Sequence, residues 1–197
     1  MKKGIPFALR TETPADIADF VNNNFREIFE ERVGGYTLEE LDDRYAAVSS
    51  SVVQLVHYKT SAVATGTTVL PFDNTIPQNT EGDEYMSLGI TPKSSSNILV
   101  VEVLGHFSAD INSSTTAALF KDLDTNAISV GVVTNTSYWI SQIKIIYKMV
   151  AETTNQITFK VRCGPQSSGT VTFNGTGGNA EYGGKLCSYI TIMEYST

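Results

Sequence analysis

The chain has 197 residues, with 14 Lys and Arg against 21 Asp and Glu, for a net charge of −7 at neutral pH. An acidic chain without a Lys/Arg cluster argues against nucleic acid or an anionic membrane as partner, and no apolar run approaches the ~20 residues that a membrane span needs. The first residues also lack the apolar stretch of roughly 7–15 residues that marks a secretory signal, so synthesis and assembly are expected in the cytoplasm.

Residues 1–12 show no period and read as an arm. Thr13-Pro14-Ala15-Asp16 has the form of a helix start: a hydroxyl cap, a proline where the missing N–H costs nothing, and an acid near the positive helix end. Ile17, Phe20, Val21, Phe25, Ile28 and Phe29 then recur at helical spacing up to Gly34-Gly35, which stops the helix. Three phenylalanines on one short helix need something to bury them. The head or a sister helix would serve, and so would a docking site on another protein.

Thr37-Leu38-Glu39-Glu40 has the form of a capping box and opens a second helix. From there Leu38, Leu41, Tyr45, Val48, Val52 and Leu55 fall at spacings of 3, 4, 3, 4 and 3. That is a heptad seam, narrower than the stripe of a helix that packs on a globular core. The helix itself is expected to end near residues 47–51, where three serines and a β-branched pair take over. The seam therefore divides the chain into an anchor (1–35), a stalk where identical chains join (36–51) and a head (52–197).

From Val52 onward the text is strand and turn. Strands are expected at 52–59, 67–70, 85–90, 98–107, 116–120, 128–133, 138–150, 156–163, 170–173 and 186–195, separated by Gly, Pro, Asn and Ser chemistry. With no helix-period segment between them, the sheets should be antiparallel, and the fold class mainly β: an antiparallel, jelly-roll-like sandwich head behind a short α-helical anchor and stalk. In 156–163, Ile157, Phe159, Val161 and Cys163 should face in, leaving the opposite side wet. In 98–107, Ile98, Val100 and Leu104 share one face, and Leu99, Val101, Val103 and Phe107 share the other. The segment 138–150 looks similar, with Trp139, Ile143, Ile145, Tyr147 and Met149 on one face. Antiparallel strands apolar on both sides need a second covering layer. A subunit interface supplies one.

No catalytic or metal-binding constellation emerges, and no cofactor is implied. His57 and His106 lie in strand patterns and lack the neighbouring ligands of a zinc site. Asp122-Leu123-Asp124-Thr125-Asn126 opens like a calcium loop but lacks its glycine and terminal glutamate, and so reads as a turn. Glu81-Gly82-Asp83-Glu84 reads as a solvated turn. Asp73, Asp110, Glu152 and Glu181 stand apart rather than pairing as glycosidase carboxyls would. Cys163 and Cys187 read as reduced thiols of a cytoplasmic product, or as a pair if their strands are neighbours; both readings are structural. The segment 174–185 is the one that strand building does not explain. Asn174, Gly175, Gly177, Gly178, Tyr182 and Gly183 make it either a crossover under a neighbouring chain or a receptor loop offering a ring and backbone amides to a sugar.

The phrases Phe72 to Gly82 and Leu88 to Ser94, and the ending Gly169 to Gly175 followed by Gly183-Gly184, resemble the C-terminal head domains of tail-fibre and virion fibre proteins of tailed bacteriophages, and Tyr36 to Ala46 looks like the short helical connectors of such fibres. The resemblance covers roughly residues 52–195 and does not extend to residues 1–35. It implies a homotrimeric fibre with a jelly-roll-like head, assembled in the bacterial host cytoplasm and located in the virion. Its expected partners are further copies of itself, another virion protein through the N-terminal helix, and a host surface glycan or protein through the head. Neither nucleic acid nor membrane insertion is expected. A capsid decoration or baseplate connector without a receptor is the alternative within this class, and a polysaccharide depolymerase is the alternative outside it.

Overall fold

The computed structural model describes residues 51–197. The expected anchor helix and the seam residues Leu38, Leu41, Tyr45 and Val48 lie outside the described residues. The described chain runs through β1 (Val52–Thr60), β2 (Ala64–Gly66), β3 (Asp83–Ile90), β4 (Ile98–Ala109), β5 (Ser113–Lys121) and β6 (Ser129–Asn135). It continues through β7 (Ser141–Val150), β8 (Ile157–Pro165), β9 (Val171–Phe173), β10 (Gly175–Thr176), β11 (Asn179–Ala180) and β12 (Ser188–Tyr195).

All of these strands pair antiparallel. One sheet runs β1-β12-β4-β7, and the short strands β9 and β2 extend it beside the last residues of β4. The other runs β3-β8-β5-β6. Successive long strands cross from one sheet to the other except at the β5–β6 hairpin. This is the connectivity of a jelly-roll sandwich.

The period-2 alternation places the core. Leu99, Val101, Val103 and Phe107 of β4 meet Ile157, Phe159, Val161 and Cys163 of β8 in one buried cluster, joined by Ile190 and Ile192 of β12. Phe107, Phe173 and Tyr85 lie against one another with ring centroids 5.1–5.5 Å apart. Burial pushes both the Tyr85 hydroxyl and the Cys163 thiol well above their ordinary pKa. Cys163 and Cys187 are both free thiols, and only Cys163 is fully buried.

Three expectations need correction. Val52 and Leu55 do not continue a helical heptad, because both belong to β1. A bulge between Val52 and Gln54 sets Val52 opposite Tyr195 and Leu55 opposite Met193. An interval of three, read as helix, is here a strand with one extra residue. Residues 67–70 are not a strand either. They begin a loop that drops Leu70 onto Ala118 and Phe120, tied by a Leu70 N–H bond to the Pro165 carbonyl (2.9 Å). Finally, β7 starts at Ser141, so Tyr138, Trp139 and Ile140 lie in the preceding turn.

One buried carboxyl group fastens the end of the sandwich where the head begins. The side chain of Glu194 in β12 is fully buried. Its Oε1 accepts from the Lys93 backbone N–H and the Asn97 side-chain amide, each at 2.7 Å, which holds the β3–β4 connection against β12. Glu194→Ala strands both donors. It should lower unfolding free energy by about 2–4 kcal/mol, read by urea denaturation with the slope unchanged. A loss below about 0.5 kcal/mol, the scatter of ordinary surface changes, would show that the connection is held by other means.

Candidate functional site

Two surfaces of the sandwich carry side chains that its own packing does not use. The first is the outer face of β1-β12-β4-β7. Direct cross-strand partners share a face, so its rows follow from the register. Val52, Tyr195, Ile98 and Val150 form the row nearest the start of the head, and Leu55, Met193, Val100 and Lys148 form the next. Further along come His57, Thr191, Glu102 and Ile146, then Lys59, Tyr189, Leu104 and Lys144. Leu55 is 57% exposed and Ile146 is 61% exposed.

The face is thus apolar where the head begins and turns polar toward the other end. There Lys144 pairs with Glu102 at 2.9 Å, and the Tyr189 hydroxyl donates to the same carboxylate at 3.3 Å. His57 shares this face, with Nδ1 2.8 Å from the Thr191 hydroxyl. The outer face of the second sheet differs, because the 67–82 loop lies over part of it and buries Leu70, Ala118 and Phe120.

The second surface is at the opposite end, where the β6–β7 turn meets the segment 174–185. β6 ends at Asn135, and two residues further on Ser137 is pinned twice. Its N–H donates to Asn112 Oδ1 (2.7 Å), and its hydroxyl donates to the Asp110 carbonyl (2.9 Å). Tyr138 follows with a left-handed backbone (φ +64°), its N–H on the Ala109 carbonyl (2.7 Å) and its own carbonyl accepting from Thr176 Oγ1 (2.7 Å). Beside it, β10 and β11 form a hairpin whose turn residues Gly177 and Gly178 both have positive φ, as a type I′ turn requires. Tyr182 (φ +50°) opens a short 3-10 turn, Tyr182–Gly184.

Left-handed backbone at a tyrosine costs about 1–3 kcal/mol and persists only where the surroundings enforce it. The result is a cavity of about 420 Å³ lined by Tyr138, Trp139 and Tyr182 together with Ser137, Thr176 and Glu181. Trp139 is 71% exposed and Tyr182 is 80% exposed. Tyr138 also borders a neighbouring cavity of about 230 Å³ that reaches Asp110 and Gly178.

The six expected receptor-loop residues are split by this geometry. Gly177, Gly178, Tyr182 and Gly183 are exposed, and all but Gly183 border these cavities. Asn174 and Gly175 are buried and structural. The Asn174 amide donates to the carbonyls of Thr60 and Ala62 (3.0 and 3.2 Å) and accepts from Ser188 Oγ (2.7 Å). A Cβ on Gly175 would strike the Asn179 carbonyl. Tyr138 and Trp139, assigned to a strand in the sequence, are the residues that reading missed. The polar run Asn135-Thr136-Ser137 just before them was the available turn signal.

The remaining candidates serve the fold. Asp122 accepts from the Thr158 N–H (2.7 Å), and Asp110 from the Thr170 N–H (2.7 Å). Asp83 accepts from both the backbone and the hydroxyl of Thr68, and Glu81 accepts from the Gln78 N–H. Asp73 accepts from the Thr75 hydroxyl and N–H, which hold its carboxyl below the usual range. Among the described residues no group of three or more His, Cys, Asp or Glu is placed to hold a metal ion.

No protein-family model and no curated protein matches the sequence. Among solved structures, Eiger TNF from S. frugiperda aligns over 74% of this chain and 94% of its own, at 7% identity and a TM-score of 0.42. A family 35 carbohydrate binding module from Clostridium thermocellum aligns over 71% and 98%, at 9% identity and 0.35. The VP2 subviral particle of infectious bursal disease virus aligns over 75% and 39%, at 14% identity and 0.30. At such scores none of them bears on what this chain does.

His106 offers a check on the buried polar network behind the tip. Burial lowers its pKa below the ordinary 6.5, with the Cys187 backbone opposing, and Nε2 lies 2.8 Å from the Gln142 amide. The folded state therefore binds fewer protons than the unfolded chain, and stability contributed above pH 6.5 is lost as pH falls toward the folded value. Thermal unfolding between pH 7 and 5 should show this decline, and His106→Gln should flatten it. An equal slope in both proteins would exclude His106 as the source.

Proposed function

We propose that this chain is a non-catalytic structural protein of a bacteriophage virion, a fibre or receptor-binding knob. In this reading it assembles as a homotrimer, attaches to the particle through residues 1–35 and meets the host surface with its head. The observation that carries the reading is the outer face of β1-β12-β4-β7. Leu55, Met193, Val100, Tyr195, Ile98 and Val150 form a continuous apolar area with nothing of the described chain over it. Covering an apolar side chain of this size gives ~1.5–3 kcal/mol, and contiguous exposed apolar area marks an interaction surface.

The occupant that fits is a second copy of the same chain. In the sequence, the heptad pattern expected to join copies immediately precedes β1, whose first outward-facing residues, Val52 and Leu55, belong to that area. The glycine and proline phrases of residues 72–94 and 169–175 support the virion class. Against an enzyme stand the separate duties of Asp73 and Asp110, each spent on a turn of its own.

Light scattering of the full chain at micromolar concentration should give about three times the 21.4 kDa of one chain. Leu55→Glu and Ile146→Lys sit at exposed positions and should each leave the folded state within about 0.5 kcal/mol, while together shifting the mass to that of one chain. A wild-type protein already of single-chain mass would remove the assembly and the multivalent attachment built on it.

A further inference from the structure

The tip cavity has a chemistry that the sandwich does not need. Exposed aromatic rings are rare as packing devices, yet Tyr138, Trp139 and Tyr182 line one hollow of about 420 Å³, within the usual range of small-ligand pockets. The backbones of Tyr138 and Trp139 are fixed by Ala109, Thr136 and Thr176, and the Tyr182 carbonyl accepts from the Lys185 N–H, so the rings are not placed by their own burial. The polar groups around them are hydroxyls and one carboxylate. Ser137 and Thr176 each donate their proton inward, to the carbonyls of Asp110 and Tyr138, so their lone pairs remain available to accept. Glu181 is acceptor-only when ionised. No Lys or Arg lines the hollow.

We propose that this cavity binds a neutral sugar residue of a host-surface glycan, most directly a hexose or N-acetylhexosamine. Such a ring presents one face of C–H groups, which lies on an aromatic plane, and a rim of hydroxyl donors, which meets Glu181 and the free lone pairs of Ser137 and Thr176. The absence of a cation in the lining disfavours uronic and sialic acids, which would face the Glu181 carboxylate unpaired. A peptide would bring backbone acceptors as well as donors, and the hollow offers few donors to meet them.

The position is consistent with that ligand. Ile98 pairs with Val150 near the start of the head, and Phe107 pairs with Ser141 beside the tip. These nine steps along β4 separate the two ends by about 30 Å, at roughly 3.3 Å per residue. The inference rests on the host-contact part of the proposed function but not on its assembly part.

Trp139 is the only tryptophan in the chain, which makes its fluorescence a local reporter. The full-length protein is titrated with methyl glycosides of glucose, galactose, mannose and N-acetylglucosamine, and with glucuronate and sialic acid. At least one neutral glycoside should give a saturable shift at millimolar concentration, and the acidic sugars should not. Tyr182→Ala and Glu181→Gln should each weaken that binding roughly tenfold or more. Trp139→Phe, followed by calorimetry, should weaken it while leaving the mass by light scattering unchanged.

The inference is overturned if no neutral glycoside shifts the fluorescence or releases heat, if acidic sugars bind as well as neutral ones, or if binding survives Tyr182→Ala intact. It is also overturned if a peptide library is captured at this hollow in place of sugar. A protein that binds sugar but has single-chain mass would refute the assembly and keep the site. A trimer that binds no sugar would do the reverse.

Discussion

Strand β4 sets the terms for the rest of the head. It is paired along both edges, with β7 on one side and β12 followed by β9 on the other. It is also apolar on both faces. Its inward residues Leu99, Val101, Val103 and Phe107 are spent on the core, which no rearrangement of a sandwich can avoid. Ile98 and Val100 therefore have to face the other way, and the described chain supplies no layer for them. A strand of this kind is stable in the centre of a sheet but leaves the sheet with a greasy back. The second sheet meets a similar difficulty at Ala118 and Phe120 differently, by folding its own loop over them through Leu70. Folding its own loop over the face is one remedy for a doubly apolar sheet; the proposed assembly would be the other, in which a second chain covers it.

How much of this was legible depended on whether the local pattern and the tertiary environment agreed. In β8 they agree fully: Ile157, Phe159, Val161 and Cys163 alternate with polar residues and are buried accordingly. In β4 the double apolar face was readable for the same reason, since period 2 leaves no other assignment. The failures have physical causes. Val52 and Leu55 mimic a helix because a bulge converts a spacing of three into a shared face, and a bulge leaves no mark in apolar periodicity. Thr67–Leu70 looked like a strand because Val69 and Leu70 are apolar, yet they serve as a plug.

The tip was half legible. Glycine density in the 174–185 segment announced an unusual backbone, and Gly177 and Gly178 do take positive φ. Glycines do not reveal which of their neighbours are exposed, however. Asn174 looked like loop surface and proves to be a buried hub bonding Thr60, Ala62 and Ser188. Trp139 reads as part of the strand 138–150 because it falls in alternation with Ile143, Ile145, Tyr147 and Met149. Only the three-dimensional meeting of the β6–β7 turn with the distant 174–185 segment turns Tyr138, Trp139 and Tyr182 into neighbours of one cavity. Sequence spacing carries no trace of that.

The two surfaces suit one another energetically. In the proposed reading a shallow hollow with a few rings and hydroxyls would hold a single sugar weakly, in the millimolar range where about 4 kcal/mol of binding energy is gained. Its backbone is already fixed by the hydrogen bonds at Ser137, Tyr138 and Thr176, so little ordering cost is charged against that small gain. What one site lacks, repetition supplies: linked sites on a common frame raise avidity by about 10²–10⁴ without any new contact. Repetition helps only if the frame keeps the sites facing the same surface. Apolar rows concentrated at the start of the head and a polar, ring-bearing tip about 30 Å away meet that requirement, because the copies would be clamped at one end and their sites presented at the other. Were the greasy rows at the tip instead, the surface that joins copies would compete with the surface that meets the ligand.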